Sequence, residues 1–170
     1  MALEGMPRHA STGTRDYGVL GSGKASENRT VWTQVGESKN WDKISCGSAH
    51  CLALNTKGEV YSWGCGANYR LGQLNKEGTN PVTTNYYEPT KIEFLSSGVS
   101  DILATHYTSF FINKEGNLYS CGHNSCYLCG TTKADSRPLT SSNKTNTLQT
   151  EVLTGCKYIV GGQHNSYVID

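Results

Sequence analysis

Long apolar runs, methionine, phenylalanine and charge are all scarce in this sequence. Its 170 residues include two Met and three Phe, and only 17% of them are charged. No apolar stretch approaches the roughly 20 residues that a membrane-spanning helix needs. Long amphipathic helices carry a charged outer face, so the composition also argues against a helical bundle.

An excess of positive charge is missing as well. The net charge is +1 and the pI is about 7.6, whereas a broad nucleic-acid surface needs a clear basic excess. The first eight residues contain no hydrophobic segment, so a secretory signal is not predicted. Seven Cys, an odd number, without an export signal indicate free thiols in a reducing compartment. We therefore expect a cytoplasmic or nuclear protein, with no membrane, nucleic-acid or chromatin partner predicted from charge.

Glycine and tyrosine are abundant, with 19 and 10 residues, which favours short strands joined by Gly turns. The chain also repeats itself, since residues 102–130 align on residues 44–72. The same residue recurs at Ile44/Ile102, Asn55/Asn113, Gly58/Gly116, Tyr61/Tyr119, Ser62/Ser120, Gly64/Gly122, Tyr69/Tyr127 and Gly72/Gly130.

Each copy has the pattern of a β-hairpin. Leu52 and Leu54 alternate with Cys51, Ala53 and Asn55 before the turn at residues 55–58, and both this turn and the one at residues 113–116 end in Gly. A return strand follows in each copy and ends at Gly64 or Gly122.

Partial copies flank the two complete ones. Residues 19–23 resemble residues 62–66, and a last copy begins at Ile159. In that copy Ser166 aligns with Ser109, although a slip of one residue would instead place His164 on His50.

The repeats divide the chain into segments. We predict an unstructured tail over residues 1–16, an edge strand over 88–94 that begins with Pro, and a surface loop over 131–150. The predicted repeat region is 17–170, with segments 17–43, 44–101, 102–158 and 159–170.

One string carries a specific resemblance. Cys46-Gly47-Ser48-Ala49-His50-Cys51-Leu52-Ala53-Leu54, then residues 58–64 and Leu71-Gly72, resemble the regulator of chromosome condensation repeat. The second copy departs from the pattern at Thr105, Thr108 and Cys121. The resemblance implies an all-β fold, here a partial β-propeller of about three antiparallel blades. It assigns structural roles to Gly47, His50, Gly58, Tyr61, Trp63, Gly64, Gly72, Gly116, Tyr119, Gly122 and Gly130.

The resemblance also implies function. We expect a non-enzymatic protein-binding scaffold without cofactors, which binds through the loops at about 73–90 and 131–150. The founding member of the family is a guanine nucleotide exchange factor for a small GTPase, and other members act as adaptors in ubiquitin ligases. Exchange activity is the second hypothesis. Because an open arc leaves blade faces unpaired, we also expect a fragment that needs further blades from itself or another chain.

A metal or redox site is the third hypothesis. Cys121, His123, Cys126 and Cys129 form the densest cluster of ligand-type residues, and their Cys spacing matches plant-type ferredoxins with Cys156 as a distant fourth thiol. Ordinary residues occupy the matching positions of the first copy, so structural thiols are the preferred interpretation.

Two other patterns are explained better by structure than by chemistry. Residues 18–25 nearly spell a phosphate-binding loop, but Ala25 replaces the required hydroxyl and no helix pattern follows. His50, Cys51 and His106 could suggest cysteine catalysis. Adjacent strand residues point to opposite faces, so His50 is not expected to orient the Cys51 thiol. We expect His50 to bond backbone within its own blade.

Aromatic residues offer a last possibility, which is stacking on a ligand or base. The candidates are Trp32, Trp41, Trp63, Tyr86 and Tyr87. Trp63 occupies a family core position, and the others lack a basic surrounding, so nucleic-acid stacking is not favoured.

Overall fold

The computed structural model describes residues 10–23, 28–36, 40–77, 81–93, 95, 98–124 and 154–170. Within these residues the regular structure is almost entirely β. The strands are β1 (Ala10–Gly13), β2 (Arg29–Gln34), β3 (Trp41–Cys46), β4 (His50–Asn55), β5 (Val60–Gly64), β6 (Tyr86–Lys91), β7 (Val99–Ala104), β8 (Thr108–Asn113), β9 (Leu118–Gly122), β10 (Tyr158–Gly161) and β11 (Ser166–Ile169).

These strands form four antiparallel sheets in the described part of the chain. The first sheet is β1-β2, the second β3-β4-β5-β6, the third β7-β8-β9 and the fourth β10-β11. Each sheet follows its neighbour in sequence, which is the arrangement of propeller blades. The all-β, partial-propeller prediction is therefore confirmed.

The two predicted hairpins are β4-β5 and β8-β9, and the same turn closes both. In the first, Oδ1 of Asn55 accepts hydrogen bonds from the backbone N–H groups of Lys57 and Glu59, and Gly58 has a φ of 80°. Asn113 and Gly116, with a φ of 83°, repeat this arrangement in the third sheet. The Asn side chain replaces a backbone turn acceptor, and Gly supplies the left-handed φ without steric cost.

Apolar side chains fill the spaces between sheets. Between the second and third sheets, Leu52 and Leu54 pack with Ile102 and Phe111. Full burial of each such side chain contributes about 1.5–3 kcal/mol. Between the third and fourth sheets the cluster contains Phe110, Ile112, Leu118, Cys156 and Ile159.

One acidic side chain connects three successive sheets. Asp101 on β7 accepts a hydrogen bond from Nζ of Lys43 on β3 at 3.0 Å and another from the backbone N–H of Ile159 on β10 at 3.0 Å. Both of its carboxylate oxygens are thus used between sheets, and Asp101 fixes the spacing of the stack.

The predicted unstructured tail is wrong for residues 10–16. β1 occupies Ala10–Gly13 and pairs with β2, and a 3₁₀ turn covers Asp16–Gly18. The sequence of β1 shows no alternation because this strand lies at the margin of the sheets, half-buried at one end and exposed at the other.

The predicted alignment of the first partial copy is also wrong. Gly13, with a φ of 118°, matches Gly64, with a φ of 101°, because each ends the strand that pairs with the outer strand of its sheet. The 3₁₀ turn at Asp16–Gly18 then matches the one at Ala67–Tyr69. Leu20-Gly21 therefore corresponds to Leu71-Gly72, rather than to the Trp63-Gly64 corner.

The register of the last copy is settled by pairing. Gly161 pairs with Ser166 as Ala104 pairs with Ser109, and the N–H of Gly162 bonds the carbonyl of Asn165 as Thr105 bonds Thr108. Ser166 thus lies on Ser109, and the alternative that placed His164 on His50 is wrong.

The predicted edge strand is present as β6, at the outer margin of the second sheet, with Pro89 inside it. Strand β7 crosses the predicted boundary at residue 101, because each sheet begins one strand before the hairpin that the sequence reveals. Residues 125–153 lie outside the described residues, and the loop predicted for 131–150 falls there. No helix in the described residues is long and apolar enough to span a membrane.

Candidate functional site

His50 links the second sheet to the third. Its Nε2 lies 2.9 Å from Oγ of Ser109, and the Ser109 hydroxyl donates to the carbonyl of Arg70 at 2.6 Å. His50 and Ser109 are both fully buried. The expected bond from His50 to backbone within its own blade is therefore wrong. Its partner is a side chain of the next blade, because strand alternation turns His50 towards the third sheet.

This chain of bonds fixes the protonation of His50. The only proton of the Ser109 hydroxyl goes to a carbonyl, so its oxygen must accept the Nε2–H of His50. Nδ1 of His50 then carries no proton, and it has no hydrogen-bond partner among the described residues. Burial lowers the pKa of His50 to about 3, with a further contribution from the positive charge of Arg70. The imidazole is therefore neutral at physiological pH.

The carbonyl of Arg70 is one instance of a repeated joint. The indole Nε1 of Trp63 donates to the carbonyl of Val19 at 2.9 Å, and the thiol of Cys51 lies 3.6 Å from the same oxygen. In the next sheet, Ser109 and Cys121 make the matching contacts to the Arg70 carbonyl. The residue before each Leu-Gly corner thus offers its carbonyl to the following sheet.

A group of aromatic and basic side chains lies at one end of the sheets, and we call it the end face. It consists of Arg70, His106, Tyr107, His123 and His164. The Arg70 guanidinium carbon lies 4.6 Å from the centroid of the Tyr107 ring, and that ring also meets His106 at 3.9 Å and His123 at 5.8 Å edge-on. His164 lies 6.2 Å from His106, which extends the group to the fourth sheet.

Backbone anchors hold the end face in place. The Ser48 hydroxyl donates to the carbonyl of His106 at 2.6 Å, and the Thr108 hydroxyl donates to the carbonyl of His123 at 2.8 Å. The N–H of His123 bonds the carbonyl of Tyr107 at 3.0 Å. The loop at His106 is therefore tied to the turn between β3 and β4, and the segment at His123 is tied to β8, which suits a preorganised binding surface.

Two of the repeat glycines allow close backbone approach at this end. A Cβ at Gly47 would collide with the carbonyl of Thr105 and lie 2.7 Å from Nδ1 of His50. A Cβ at Gly122 would lie 2.8 Å from Cα of Thr108, and the φ of Gly122 is 124°. Gly47 is therefore needed for packing between the second and third blades, and Gly122 for packing within the third blade.

The remaining predicted repeat residues lie within the sheets. Trp63 is buried between the first two sheets, and Tyr61 packs edge-on against Trp41 at 4.9 Å. The Tyr119 hydroxyl accepts a bond from the Asn113 amide at 3.2 Å. Gly72 has a φ of 64°, and Gly130 is outside the described residues.

The cysteine cluster is divided in the structure. Cys121 is fully buried at the joint to Arg70, whereas His123 belongs to the end face. Cys126 and Cys129 lie outside the described residues. Among the described residues no three His, Cys, Asp or Glu side chains are grouped as metal ligands.

The glycine-rich segment at residues 18–23 is a packed corner. Gly21, with a φ of 66°, lies against Trp63 and Val35, and the N–H of Gly23 bonds the carbonyl of Tyr87. This hydrogen bond and these close contacts hold the corner against the second sheet, which agrees with the structural interpretation of this motif. Lys24 and Ala25 are not among the described residues.

The structure brings the predicted catalytic and stacking residues together only in part. His50 faces the third sheet and Cys51 the first, as strand alternation predicts, and His106 lies on the end face. Trp32 is 71% exposed on β2 and lines, with Trp41 and Trp63, a cavity between the first and second sheets. Tyr86 and Tyr87 begin β6, and Tyr86 packs against the apolar cluster that contains Val35 and Trp63, between the first and second sheets.

Sequence reasoning missed Arg70, Tyr107 and Ser109. Ser109 had a detectable signal, because it is polar in a strand whose other residues are mostly apolar. Arg70 and Tyr107 had none, since they meet only when two blades stack.

Comparison with known proteins identifies the family of the repeat. Models of the regulator of chromosome condensation (RCC1) repeat match residues 57–112 and 41–70. The chain belongs to this repeat family. The ultraviolet-B receptor UVR8 of Arabidopsis thaliana is 31% identical over 114 residues, which is 66% of this chain and 24% of the receptor. Protein pim1 of Schizosaccharomyces pombe is 27% identical over 154 residues, which is 89% of this chain and 27% of pim1.

Solved structures show the same fold. Yeast RCC1 (Prp20), in a crystal structure of Kap60 bound to it, has a TM-score of 0.73 at 19% identity and covers 92% of this chain and 37% of its own. Human WBSCR16 has a TM-score of 0.70 at 19% identity, over 95% of this chain and 39% of its own. The chain thus spans about a quarter of the curated relatives named above and less than half of each solved propeller.

Proposed function

We propose that this chain is a non-enzymatic protein-binding module whose binding surface is the end face. The observation that carries the proposal is the exposed Tyr107 ring, which stacks on the buried Arg70 and packs edge-on against His106 and His123. Tyr and Arg are enriched among the residues that dominate binding energy at protein interfaces. Tyr107 remains 38% exposed, so its ring is available to a partner.

The chemistry of the end face indicates the partner. Its five side chains include three imidazoles but no carboxylate, and the Arg70 guanidinium, although only 4% exposed, adds a positive charge against the Tyr107 ring. A protein surface that presents carboxylates and a pocket for an aromatic ring would complement it. We therefore infer a protein partner that is acidic at the point of contact.

Solved relatives supply the probes for a test. Yeast Prp20 has been crystallised with Kap60 bound to it, and Prp20p of Saccharomyces cerevisiae has binding properties towards Gsp1p and histones. These partners belong to those proteins, and this chain covers only 37–38% of them. We propose that the chain binds one of these partner classes, with simple binding preferred over nucleotide exchange.

The experiment compares two matched tyrosine variants. Tyr107 and Tyr87 are equally exposed, at 38%, but Tyr87 lies in the 73–90 segment outside the end face. The immobilised chain is exposed to purified Gsp1p, Kap60 and core histones, and the dissociation constant is measured for the wild type, Tyr107→Ala and Tyr87→Ala. We expect at least one probe to bind and Tyr107→Ala to weaken it about 30-fold, the effect of losing a dominant interface residue.

Each other outcome has a definite meaning. Equal dissociation constants for the wild type, Tyr107→Ala and Tyr87→Ala would overturn the proposal. The absence of binding to any of the three probes would also overturn it. A loss of binding confined to Tyr87→Ala would instead place the interface in the segment 73–90, one of the two predicted binding loops. Release of labelled GDP from Gsp1p, measured in parallel, would support the exchange alternative if the chain accelerates it.

A further inference from the structure

Two cysteines face each other across the hairpin of β3 and β4. Cys46 and Cys51 are direct partners in the antiparallel register, and their Sγ atoms are 3.1 Å apart. The neighbouring pair, Gly47 and His50, is joined by a backbone hydrogen bond of 2.8 Å. Pairs alternate along an antiparallel ladder, so Cys46 and Cys51 occupy a non-hydrogen-bonded position, where side chains approach most closely.

The two thiols differ in exposure. Cys46 is exposed, whereas Cys51 is only 7% exposed and lies in the cluster between the first and second sheets. The other described cysteines, Cys65, Cys121 and Cys156, are buried. Within the described part of the chain, an oxidant in solution therefore meets Cys46 first.

The two thiols also differ in proton affinity. The Cys51 thiol donates its proton towards Sγ of Cys46, which lowers the pKa of Cys46 to about 7. The same bond, together with burial, raises the pKa of Cys51. A thiolate is the nucleophilic form of cysteine, so the pair combines an accessible nucleophile with a protonated neighbour.

A cavity of about 330 Å³ opens between the first and second sheets, and both sulfur-bearing residues line it. Val19, Ile44 and Trp63 form part of its wall. The cavity gives a small oxidant access to Cys46 and leaves room for a water molecule to depart.

We propose that Cys46 and Cys51 form a peroxide-reactive dithiol that closes to an intramolecular disulfide. The Cys46 thiolate attacks one oxygen of hydrogen peroxide, the O–O bond breaks, and the departing hydroxide takes a proton to become water. The resulting Cys46 sulfenic acid is attacked by Cys51 sulfur, which forms the S–S bond and releases a second water. Each disulfide thus consumes one peroxide, and the two thiols supply two electrons.

The backbone already suits the product. Facing residues in an antiparallel pair have Cα atoms about 4.5–5.5 Å apart, within the range of about 4.4–6.8 Å that disulfides require. Closure therefore needs a side-chain rotation and no change of strand register.

Peptide mapping of the full chain tests the proposal directly. Trypsin cleaves after Lys43 and Lys57, so both cysteines fall in one peptide, residues 44–57, which contains no other cysteine. After treatment with hydrogen peroxide and alkylation of free thiols, we expect this peptide to have lost two hydrogen atoms and to resist alkylation. Dithiothreitol should restore both thiols.

Single-residue variants test which cysteine reacts with peroxide and which one forms the disulfide with it. In Cys51→Ser, the sulfenic acid on Cys46 has no resolving thiol, so dimedone should label residue 46. In Cys46→Ser, Cys51 should stay reduced, and Cys65→Ser should oxidise like the wild type. Free thiols in peptide 44–57 after peroxide treatment, or a disulfide from either cysteine to another position, would overturn the proposal. The wild-type map gives this answer even if a variant fails to fold.

Discussion

Acidification provides the sharpest test of the joint between the second and third sheets. His50 is neutral in the folded chain, with a pKa of about 3 against 6.5 for the free side chain. Between these two pH values the unfolded chain binds one more proton than the folded chain, so stability is present above pH 6.5 and is lost as the pH falls. The slope is about 1.4 kcal/mol per pH unit, so His50 alone should cost about 2 kcal/mol between pH 6.5 and pH 5.

The structural reason lies at Nδ1. Protonation would place a new N–H donor at a buried atom that lacks an acceptor among the described residues, while Nε2 remains committed to Ser109. An unsatisfied buried donor on a charged group is among the most costly changes in a protein interior.

The assay is urea unfolding at pH 7, 6 and 5, followed by tryptophan fluorescence, since Trp63 is buried between two sheets. The control is His50→Gln, whose amide is neutral throughout. We expect the variant to be less stable at pH 7, by about 1–3 kcal/mol for the altered buried hydrogen bond. Its stability should fall less steeply, so that the two curves converge towards pH 5. Parallel curves for the two proteins would refute the reasoning.

Three other predictions concern the packing of the sheets. Gly47→Ala should destabilise the chain by about 1–3 kcal/mol because its Cβ meets Thr105, whereas Gly162→Ala, at the matching position of the last copy, should be nearly neutral in the same urea assay. Asp101→Ala should cost about 1–3 kcal/mol in the free energy of unfolding, because it leaves the buried N–H of Ile159 without its acceptor, and Lys43→Met should cost less than about 1 kcal/mol, because the Lys43 side chain is 41% exposed. Equal losses would contradict the role given to Asp101. Size-exclusion chromatography with light scattering should show self-association, reduced by Tyr167→Lys, and a monodisperse monomer with cooperative unfolding would contradict this. Self-association is expected because four apolar side chains on the outer face of the fourth sheet are more than half exposed: Tyr158, Val160, Tyr167 and Ile169.

The repeat, the hairpins and the family follow from the amino-acid sequence alone. These features depend on interactions between residues that are only a few positions apart in the sequence. Asn55 and Gly58 define one turn, and Asn113 and Gly116 define the other. The edge strand around Pro89 was also predictable, because Pro is tolerated only where one side of the strand is free.

The pairing of the partial copies and the contacts between blades depend instead on the tertiary structure. β1 pairs with β2 across the segment at residues 14–28, and a short strand with no alternation leaves no local trace of that pairing. The bond of His50 to Ser109 and the stack of Arg70 on Tyr107 each join residues from different sheets. Even the Cys46–Cys51 pair, only five residues apart, depends on the register that the hairpin adopts. Contacts of this kind depend on how whole sheets pack and on the register of their strands. A local sequence pattern does not encode either of these.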